Sequence, residues 1–355
     1  MATCKQCLIS DAVPEITLDA NRVCNLCRDF NPQDQRQEEE SRKERELDLE
    51  KALRDCKGQA EYDCLVPVSG GKDSLYLLYK LKVEHGLKVL AFTTDINIPP
   101  IAWDNIRRTL GKLDIDHLVY RPSDNFYQKA FRHLLKHQEP RGAVYTVSYV
   151  YAPLFEGDAI KLAMQKNIPL ILAGYSPGQP EPERMLYEFS RKLICEVDWT
   201  PPALKTCGEF DENELSRFFN PKNYPKGTQF PRYLAPYHAW EYNQEEVMRK
   251  VVELGLVKSS KHASPIFSNY PINWLLMYSD LKHFGYNPYL PEFAALIREG
   301  KANLKEWKIL IPLVDFMIKN KVFLGKDVRT SLNWLEMSEH ELAITAPKGA
   351  YDPPV

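Results

Sequence analysis

Two kinds of apolar pattern alternate along residues 61–173. Short apolar runs of five to seven residues are typical of buried strands, whereas apolar residues spaced three or four apart are typical of packed helices. The predicted strands are 64–68, 88–94, 117–121 and 169–173. The predicted helices are 73–85, 103–113, 125–136 and 153–165. Strands that alternate with helices indicate a parallel sheet, so we expect an α/β fold with a doubly wound parallel sheet.

The patterns on either side of this unit are different. Residues 31–60 are highly charged with a thin apolar stripe, which indicates a solvent-exposed connecting helix. Residues 177–235 contain eight prolines and few periodic segments, which is typical of a functional loop. Residues 236–355 form a predicted helical C-terminal region, with helices at 244–256, 271–284, 291–298, 304–319 and 332–341. The sequence therefore divides into segments 1–30, 31–60, 61–235 and 236–355.

A glycine-rich turn, Ser69-Gly70-Gly71-Lys72-Asp73-Ser74, follows the first predicted strand. Paired glycines let the backbone approach an anion, and the helix that follows places its positive N-terminus at the same point. Ser69 and Ser74 add hydroxyl donors, Lys72 adds a cation, and Asp73 can bind a magnesium ion. A plain polar turn is the alternative, but the flanking strand and helix favour phosphate binding. We expect ATP to bind at residues 69–74.

The turn is not a Walker P-loop, because Val66 stands where that motif requires its first glycine and Asp73 follows the lysine. It resembles instead the Ser-Gly-Gly-x-Asp-Ser loop of the N-type ATP pyrophosphatases. These form the PP-loop, or adenine nucleotide alpha hydrolase-like, superfamily, whose sheet is of the HUP type. The resemblance implies cleavage of ATP between its α- and β-phosphates, adenylation of a substrate oxygen, and catalytic roles for Lys72 and Asp73.

Ligands of a doubly wound sheet bind beyond the carboxyl ends of its strands. Thr94 and Asp95 end the second predicted strand, so we expect them to contact the adenosine, with an ordinary polar strand end as the alternative. Gly174 follows the fourth predicted strand and is a candidate for close approach of the backbone to the nucleotide. Glycines at such positions also occur in plain turns.

Further candidates lie downstream of Gly174. Gln179 and Glu183 belong to a dense polar group and are candidate substrate ligands, with solvated loop charges as the alternative. Cys195 and Cys207 are either carriers of persulfide sulfur near the nucleotide or incidental cysteines. His238 lies where the helical region begins, and it either faces the cleft or packs in the core.

The N-terminus carries a second distinctive pattern, in which Cys4-x-x-Cys7 is followed after sixteen residues by Cys24-x-x-Cys27. Two such pairs are typical of a structural zinc ribbon, whose four thiolates fill a tetrahedral site and leave no open position. Unrelated cysteines or a redox dithiol are the alternatives. We expect a zinc ribbon within residues 1–30, where the metal replaces a core that so short a segment cannot build.

Composition narrows the class of protein. The chain has 355 residues, 44% hydrophobic and 26% charged, which is ordinary for a soluble globular protein. A net charge of −2 gives no general support for nucleic-acid binding, although a local patch for tRNA stays open. The apolar run at 309–318 is too short to cross a bilayer, and no signal-peptide pattern opens the chain. We expect a cytoplasmic protein with no membrane partner.

The order of these features is similar to that of the N-acetyl sugar amidotransferases of surface-polysaccharide biosynthesis. A four-cysteine ribbon, a charged segment and a Tyr62-Asp63-Cys64 strand precede the loop, and the resemblance covers residues 1–175 well. It implies that the enzyme adenylates the acetamido oxygen of a nucleotide-linked sugar and that ammonia then displaces AMP. The sequence shows no glutaminase triad, so a separate glutaminase subunit is expected. Gly174-Tyr175-Ser176 stands where those enzymes have a Gly-Glu-Asn element.

Two other classes of protein fit the same loop. An ATP-dependent thiolation enzyme, acting on tRNA or on a small molecule, would use sulfur carried by Cys195 or Cys207. A nucleotide-sensing module would bind ATP without catalysis, but the intact Lys72, Asp73 and Ser74 disfavour it.

Overall fold

Five parallel strands form one sheet in the computed structural model, which describes residues 2–177 and 186–352. The strands are β1 (Cys64–Pro67), β2 (Val89–Thr94), β3 (Asp116–Tyr120), β4 (Leu170–Leu172) and β5 (Arg232–Leu234). Their order across the sheet is β3-β2-β1-β4-β5, and each neighbouring pair is parallel. The first four strands lie where the apolar runs predict them.

Helices precede, separate and follow the strands. Up to β5 they are α1 (Asn25–Arg28), α2 (Pro32–Asp55), α3 (Lys72–Tyr79), α4 (Pro100–Leu113), α5 (Asp124–Lys136), α6 (Ala143–Gln165), α7 (Arg191–Cys195), α8 (Pro202–Thr206) and α9 (Glu212–Leu215). After β5 they are α10 (Gln244–Glu253), α11 (Ser260–Ala263), α12 (Pro265–Ser268), α13 (Pro271–Phe284), α14 (Leu290–Arg298), α15 (Leu304–Lys319) and α16 (Lys326–Trp334). In the part of the chain that the structure describes, no helix combines the length and apolarity needed to cross a bilayer.

Side chains of the strands alternate between two covered faces of the sheet. On β1, Cys64 and Val66 are fully buried on one face, against α2, α3, α4 and α10. Leu65 is fully buried on the other face, against α6 and α7. A parallel sheet covered by helices on both faces is doubly wound, so the predicted fold class is confirmed.

The predicted connecting helix is α2, and one of its faces is buried. Leu49 and Leu53 are 0% and 1% exposed and pack with the first face of the sheet, whereas Leu47 is 73% exposed. Arg45 also donates a hydrogen bond to the carbonyl of His238. The expectation of a solvent-exposed helix is therefore wrong for this face, because periodicity reveals a stripe but not what covers it.

The Pro-rich segment is more regular than the sequence predicts. It contains α7, α8 and α9, and it ends in β5, which pairs with β4 at the edge of the sheet. These elements are three to five residues long, so none of them spans enough residues to establish a period.

Two helices differ from the predicted bounds. α6 begins at Ala143, well before Pro153, which lies inside the helix. Proline is common in the first turn of a helix, so the pattern favoured a start at that residue. The helix predicted over 332–341 is wrong, since α16 ends at Trp334 and Glu336 adopts a left-handed backbone conformation with φ of +52°.

A buried carboxylate joins the C-terminal helices to the sheet. Asp280 of α13 is 0% exposed and accepts hydrogen bonds from the N–H groups of Ala143 and Val144, so it caps α6 from a different element. Burial raises the pKa of Asp280 to about 7. Gly142 must be glycine here, because its φ is +99° and a Cβ atom would lie 2.5 Å from the Asp280 carboxylate.

Candidate functional site

The order of the strands places a crevice between β1 and β4. The chain builds β1, β2 and β3 outward in one direction and then returns to form β4 on the other side of β1, which makes a topological switch point. Residues 69–74 follow β1 at this point, and Gly174 follows β4. A Cβ atom on Gly174 would lie 2.8 Å from the Ser74 nitrogen. The glycine is therefore required where the end of β4 packs directly on the start of α3.

Backbone N–H groups without acceptors line this side of the crevice. Gly70 adopts φ of +81°, and a Cβ atom there would lie 2.5 Å from the carbonyl oxygen of Ala102, so the tight turn needs glycine. α3 begins at Lys72 with no side-chain cap. Among the described residues, the N–H groups of Ser69, Gly70 and residues 72–74 have no hydrogen-bond acceptor. Free N–H groups at a helix N-terminus form a cradle for an anion.

Charged groups of the loop are held by tyrosines from the C-terminal part of the chain. The Lys72 ammonium lies 2.6 Å from Asp73 Oδ2 and 3.4 Å from the Tyr242 hydroxyl. Tyr242 donates a hydrogen bond to Asp73 Oδ1 at 3.0 Å, and Tyr237 donates one to the Asp73 carbonyl at 2.8 Å. Lys72 is only 7% exposed, so its charge is largely removed from solvent and depends on these partners.

Two further polar groups complete this network. Burial and the Asp73 charge raise the pKa of Tyr242, and a hydrogen bond with Ser176 partly offsets the rise. Glu292 of α14 also faces the network, where burial raises its pKa to about 8 even though the charge of Lys72 lowers it. A raised pKa favours the neutral, protonated form of the Glu292 carboxyl.

The end of β2 forms the next part of the crevice. Thr94 is 7% exposed, and its buried hydroxyl oxygen has no hydrogen-bond partner in the described part of the chain. Asp95 accepts a hydrogen bond from Arg121 at 2.7 Å, and the Arg121 side chain is more than half exposed. A buried hydroxyl without a partner is rare in folded proteins and is consistent with a ligand group at that position. Contact of Thr94 and Asp95 with adenosine stays a prediction.

Two of the four candidates downstream of Gly174, Cys195 and Cys207, lie in the described part of the chain. Gln179 and Glu183 lie outside the described residues. Cys195 is half-buried in the cluster that contains Leu65, and Cys207 directly follows α8, with its thiol 3.4 Å from the Leu204 carbonyl. In ranges 2–177 and 186–352, no hydrogen bond joins either thiol to the crevice.

His238 packs away from the crevice, in agreement with the packed interpretation. Burial and the charge of Arg45 lower its pKa to about 4, so the ring is neutral at physiological pH. Its carbonyl accepts the hydrogen bond from Arg45 of α2. The preceding residue, Tyr237, is the one that reaches the loop.

Sequence reasoning missed three residues of the network: Tyr237, Tyr242 and Glu292. None of them belongs to a motif, and all three come from beyond the sheet. The available signal is the polar and aromatic composition of residues 236–242, which directly follow β5. That signal does not say which side chain points toward the loop.

The four N-terminal cysteines converge on one point. The Sγ atoms of Cys4 and Cys27 are 3.8 Å apart, those of Cys7 and Cys24 are 3.6 Å apart, and all four lie within 4.8 Å of one another. A tetrahedral ion with metal–sulfur bonds of about 2.3 Å requires separations of about 3.8 Å. The donor set and spacing therefore fit a single metal ion, and the predicted convergence of the four cysteines is confirmed.

Local hydrogen bonds favour the thiolate of Cys4, whereas burial raises the pKa of the Cys7 and Cys27 thiols. Burial raises the pKa of Cys4, but N–H groups, among them those of Cys24 and Gln6, outweigh it and lower that pKa to about 7. A lower thiol pKa favours the thiolate, which is the form that binds metal. Arg298 at the end of α14 lies 3.5 Å from the Cys7 sulfur. The cysteine group thus packs on the same helix that carries Glu292.

No protein-family model and no curated protein matches this chain. Among solved structures it is similar to NMN synthetase from Francisella tularensis, at 14% identity and a TM-score of 0.36 over 85% of this chain and 96% of that one. It is similar to the U34-tRNA thiolase NcsA from Methanococcus maripaludis with its [4Fe-4S] cluster, at 14% identity and a TM-score of 0.36 over 96% of this chain and 90% of that one. It is also similar to the NH3-dependent NAD synthetase from Campylobacter jejuni, at 14% identity and a TM-score of 0.35 over 84% of this chain and 97% of that one.

Proposed function

We propose that the chain is an ATP pyrophosphatase that binds ATP at residues 69–74 and transfers AMP to a substrate oxygen. The observation that carries this proposal is the set of free N–H groups at the start of α3, beside the buried Lys72 and at the switch point of the sheet. A polyanion supplies the acceptors that these groups lack. The Ser-Gly-Gly-Lys-Asp-Ser sequence favours ATP over a simple phosphate.

Each group has a role in the proposed reaction. The loop N–H groups and Lys72 bind the phosphates and stabilise the charge that develops when the bond between the α- and β-phosphates breaks. Asp73 would hold Mg²⁺, which neutralises phosphate charge. Tyr242 orients the Asp73 carboxylate. Thr94 and Asp95 would contact the adenosine.

We further propose that nitrogen replaces the activated oxygen, as in an N-acetyl sugar amidotransferase. The acetamido oxygen of a nucleotide-linked sugar attacks the α-phosphorus and releases pyrophosphate. Ammonia then attacks the activated carbon, and AMP leaves with the oxygen, which produces an acetamidino group. A separate glutaminase subunit would supply the ammonia. The resemblance of residues 1–175 to those enzymes supports this assignment.

A cavity beside β2 supports a small-molecule acceptor. It has a volume of about 260 Å³ and lies next to Ile96 and Asn97, which follow Asp95 along the chain. Aromatic side chains of Tyr151, Tyr270 and Trp334 line it. Pockets lined by aromatic groups favour a compact ligand over a polynucleotide backbone, which requires cations. Within the described residues no hydrogen bond joins Cys195 or Cys207 to the crevice, which favours nitrogen over sulfur as the transferred atom.

We also propose that the metal ion held by Cys4, Cys7, Cys24 and Cys27 is zinc in a structural role. The sulfur separations of 3.6 and 3.8 Å support one tetrahedral ion, and four thiolates leave no position for a substrate.

Mass spectrometry of the products tests the proposed reaction. The enzyme is incubated with ATP, Mg²⁺ and a panel of nucleotide-sugars, with ammonia or sulfide supplied. We expect AMP, pyrophosphate and an amidino product that requires ammonia, and we expect Lys72→Met to lower the rate at least about 100-fold. Lys80→Met, on the same helical segment but outside the loop, is the matched control. Production of ADP and phosphate, or of a thiolated product, would contradict the proposal.

A further inference from the structure

Two histidines and a glutamate converge at the far end of α5. His133 and His137 lie one helical turn apart, with ring centroids 4.7 Å apart. Glu209 follows α8 and places its carboxylate oxygen 3.1 Å from His133 Nδ1. One donor atom from each of the three side chains lies within 4.8 Å of the others.

His133 and Glu209 have the geometry of two side chains that bind the same ion. The side chain is 6% exposed, and its Nδ1 atom has no hydrogen-bond partner within the described residues, although the Glu209 oxygen is 3.1 Å away. The oxygen therefore lies off the axis of an Nδ1–H bond. Two ligands of one tetrahedral ion point at the ion and not at each other, and bonds of about 2.0–2.1 Å place them about 3.3 Å apart.

A second contact sets the protonation of His137. The Thr345 hydroxyl donates its proton to the carbonyl of Lys136 at 3.2 Å, so its oxygen accepts from His137 Nδ1 at 3.0 Å. His137 then carries its proton on Nδ1, and the lone pair of Nε2 is available. Metal-binding histidines commonly donate their other N–H in this way, which fixes the ring and its tautomer.

We propose that His133, His137 and Glu209 bind a divalent transition-metal ion, with zinc as the expected occupant. Two imidazoles and one carboxylate are a donor set that suits zinc, and they leave a fourth position for water or for a group from outside. The ion would join α5 to the segment that follows α8. It lies roughly 14–20 Å along α5 from Asp124, at the opposite end of that helix.

Titration with Co²⁺ distinguishes this site from the cysteine group. Full-length protein, purified with its cysteine site filled, is titrated while absorbance is recorded. We expect one further equivalent, whose spectrum lacks the charge-transfer band of cobalt thiolates. Glu209→Gln and His137→Ala should weaken that binding at least about tenfold, and Thr345→Val about 10–100-fold, whereas Thr345→Ser retains it.

Matched controls separate ligation from general damage. Glu212→Gln makes the same change three residues from Glu209, and Cys207→Ser removes the nearest thiol in sequence; both should bind cobalt as the wild type does. Calorimetric titration with Zn²⁺ should give the same pattern. Absence of the further equivalent in the wild type, or unchanged binding by Glu209→Gln, overturns the proposal. Neither result bears on ATP cleavage, which depends on Lys72.

Discussion

The Tyr242 hydroxyl donates a hydrogen bond to Asp73 Oδ1 at 3.0 Å, across 169 positions of sequence. The same hydroxyl lies 3.4 Å from the Lys72 ammonium, which itself contacts the other oxygen of Asp73 at 2.6 Å. A residue outside the sheet thus fixes both charged groups of the loop. The loop supplies the charges, and the segment after β5 sets their orientation.

Replacement of Tyr242 tests this relationship. Tyr242→Phe removes a hydrogen bond to a charged group and leaves the ring, so Asp73 loses its orientation without a large cavity. Such bonds contribute about 1.5–3 kcal/mol, so we expect pyrophosphate release to slow roughly 10–100-fold. Tyr79→Phe, on α3, is the control and should leave the rate unchanged. An equal effect of both substitutions on the rate would refute the role of Tyr242.

Gly174→Ala should damage the site through the backbone. The added Cβ atom would lie 2.8 Å from the Ser74 nitrogen and 3.1 Å from the Asp73 carbonyl carbon, so the start of α3 must move. We expect a loss of about 1–3 kcal/mol in the free energy of unfolding and weaker ATP binding, measured by denaturant titration and calorimetry. Gly111→Ala, in α4 with open space around it, should instead be neutral or stabilising. If both variants have the same free energy of unfolding, the close contact between Gly174 and Ser74 does not contribute to stability.

Glu292 should make stability depend on pH. Its pKa is about 8 in the folded protein and about 4.3 in an unfolded chain, so between these values the folded state binds more protons. The free energy of unfolding therefore falls as pH rises from about 4 to 8, by a few kcal/mol at most. Glu292→Gln should remove this fall, so its melting temperature should exceed that of the wild type at pH 8.5 and match it near pH 5.

The control for this prediction is Glu306→Gln, which changes an exposed glutamate of α15. It should retain the pH dependence of the wild type. A Glu292→Gln variant with the same pH profile as the wild type would show that Glu292 is ionised throughout.

Removal of metal from the cysteine group should affect the crevice through α14. Cys4 and Cys7 pack in one cluster with Leu290, Ala294 and Ile297 of that helix. We expect a strong chelator or Cys24→Ser to lower the melting temperature, expose residues 1–30 to proteases and reduce ATP cleavage. Zinc should restore the chelated protein. Cys195→Ser, outside the group, should retain both metal and activity; loss of activity there would instead favour sulfur transfer.

The two local motifs were predictable from the sequence. Residues 69–74 are contiguous and each Cys-x-x-Cys pair spans four residues, so short spacing fixes which atoms lie together within each motif. The alternation of strands and helices likewise predicted four of the five strands within the described residues. β5 was not predicted, because three residues are too few to establish a period. Its position at the edge of the sheet depends on its pairing with β4.

The sequence by itself determined the α/β class, the glycine-rich turn after β1 and the spacing within each Cys-x-x-Cys pair, because each depends on the backbone or on a few adjacent residues. Only the tertiary structure decided that Tyr242 contacts Lys72 and Asp73, that Gly174 packs on Ser74, and that Glu209 reaches His133. Those contacts join segments that are far apart in the sequence. They depend on how helices pack on the two faces of the sheet, and no local pattern records that packing.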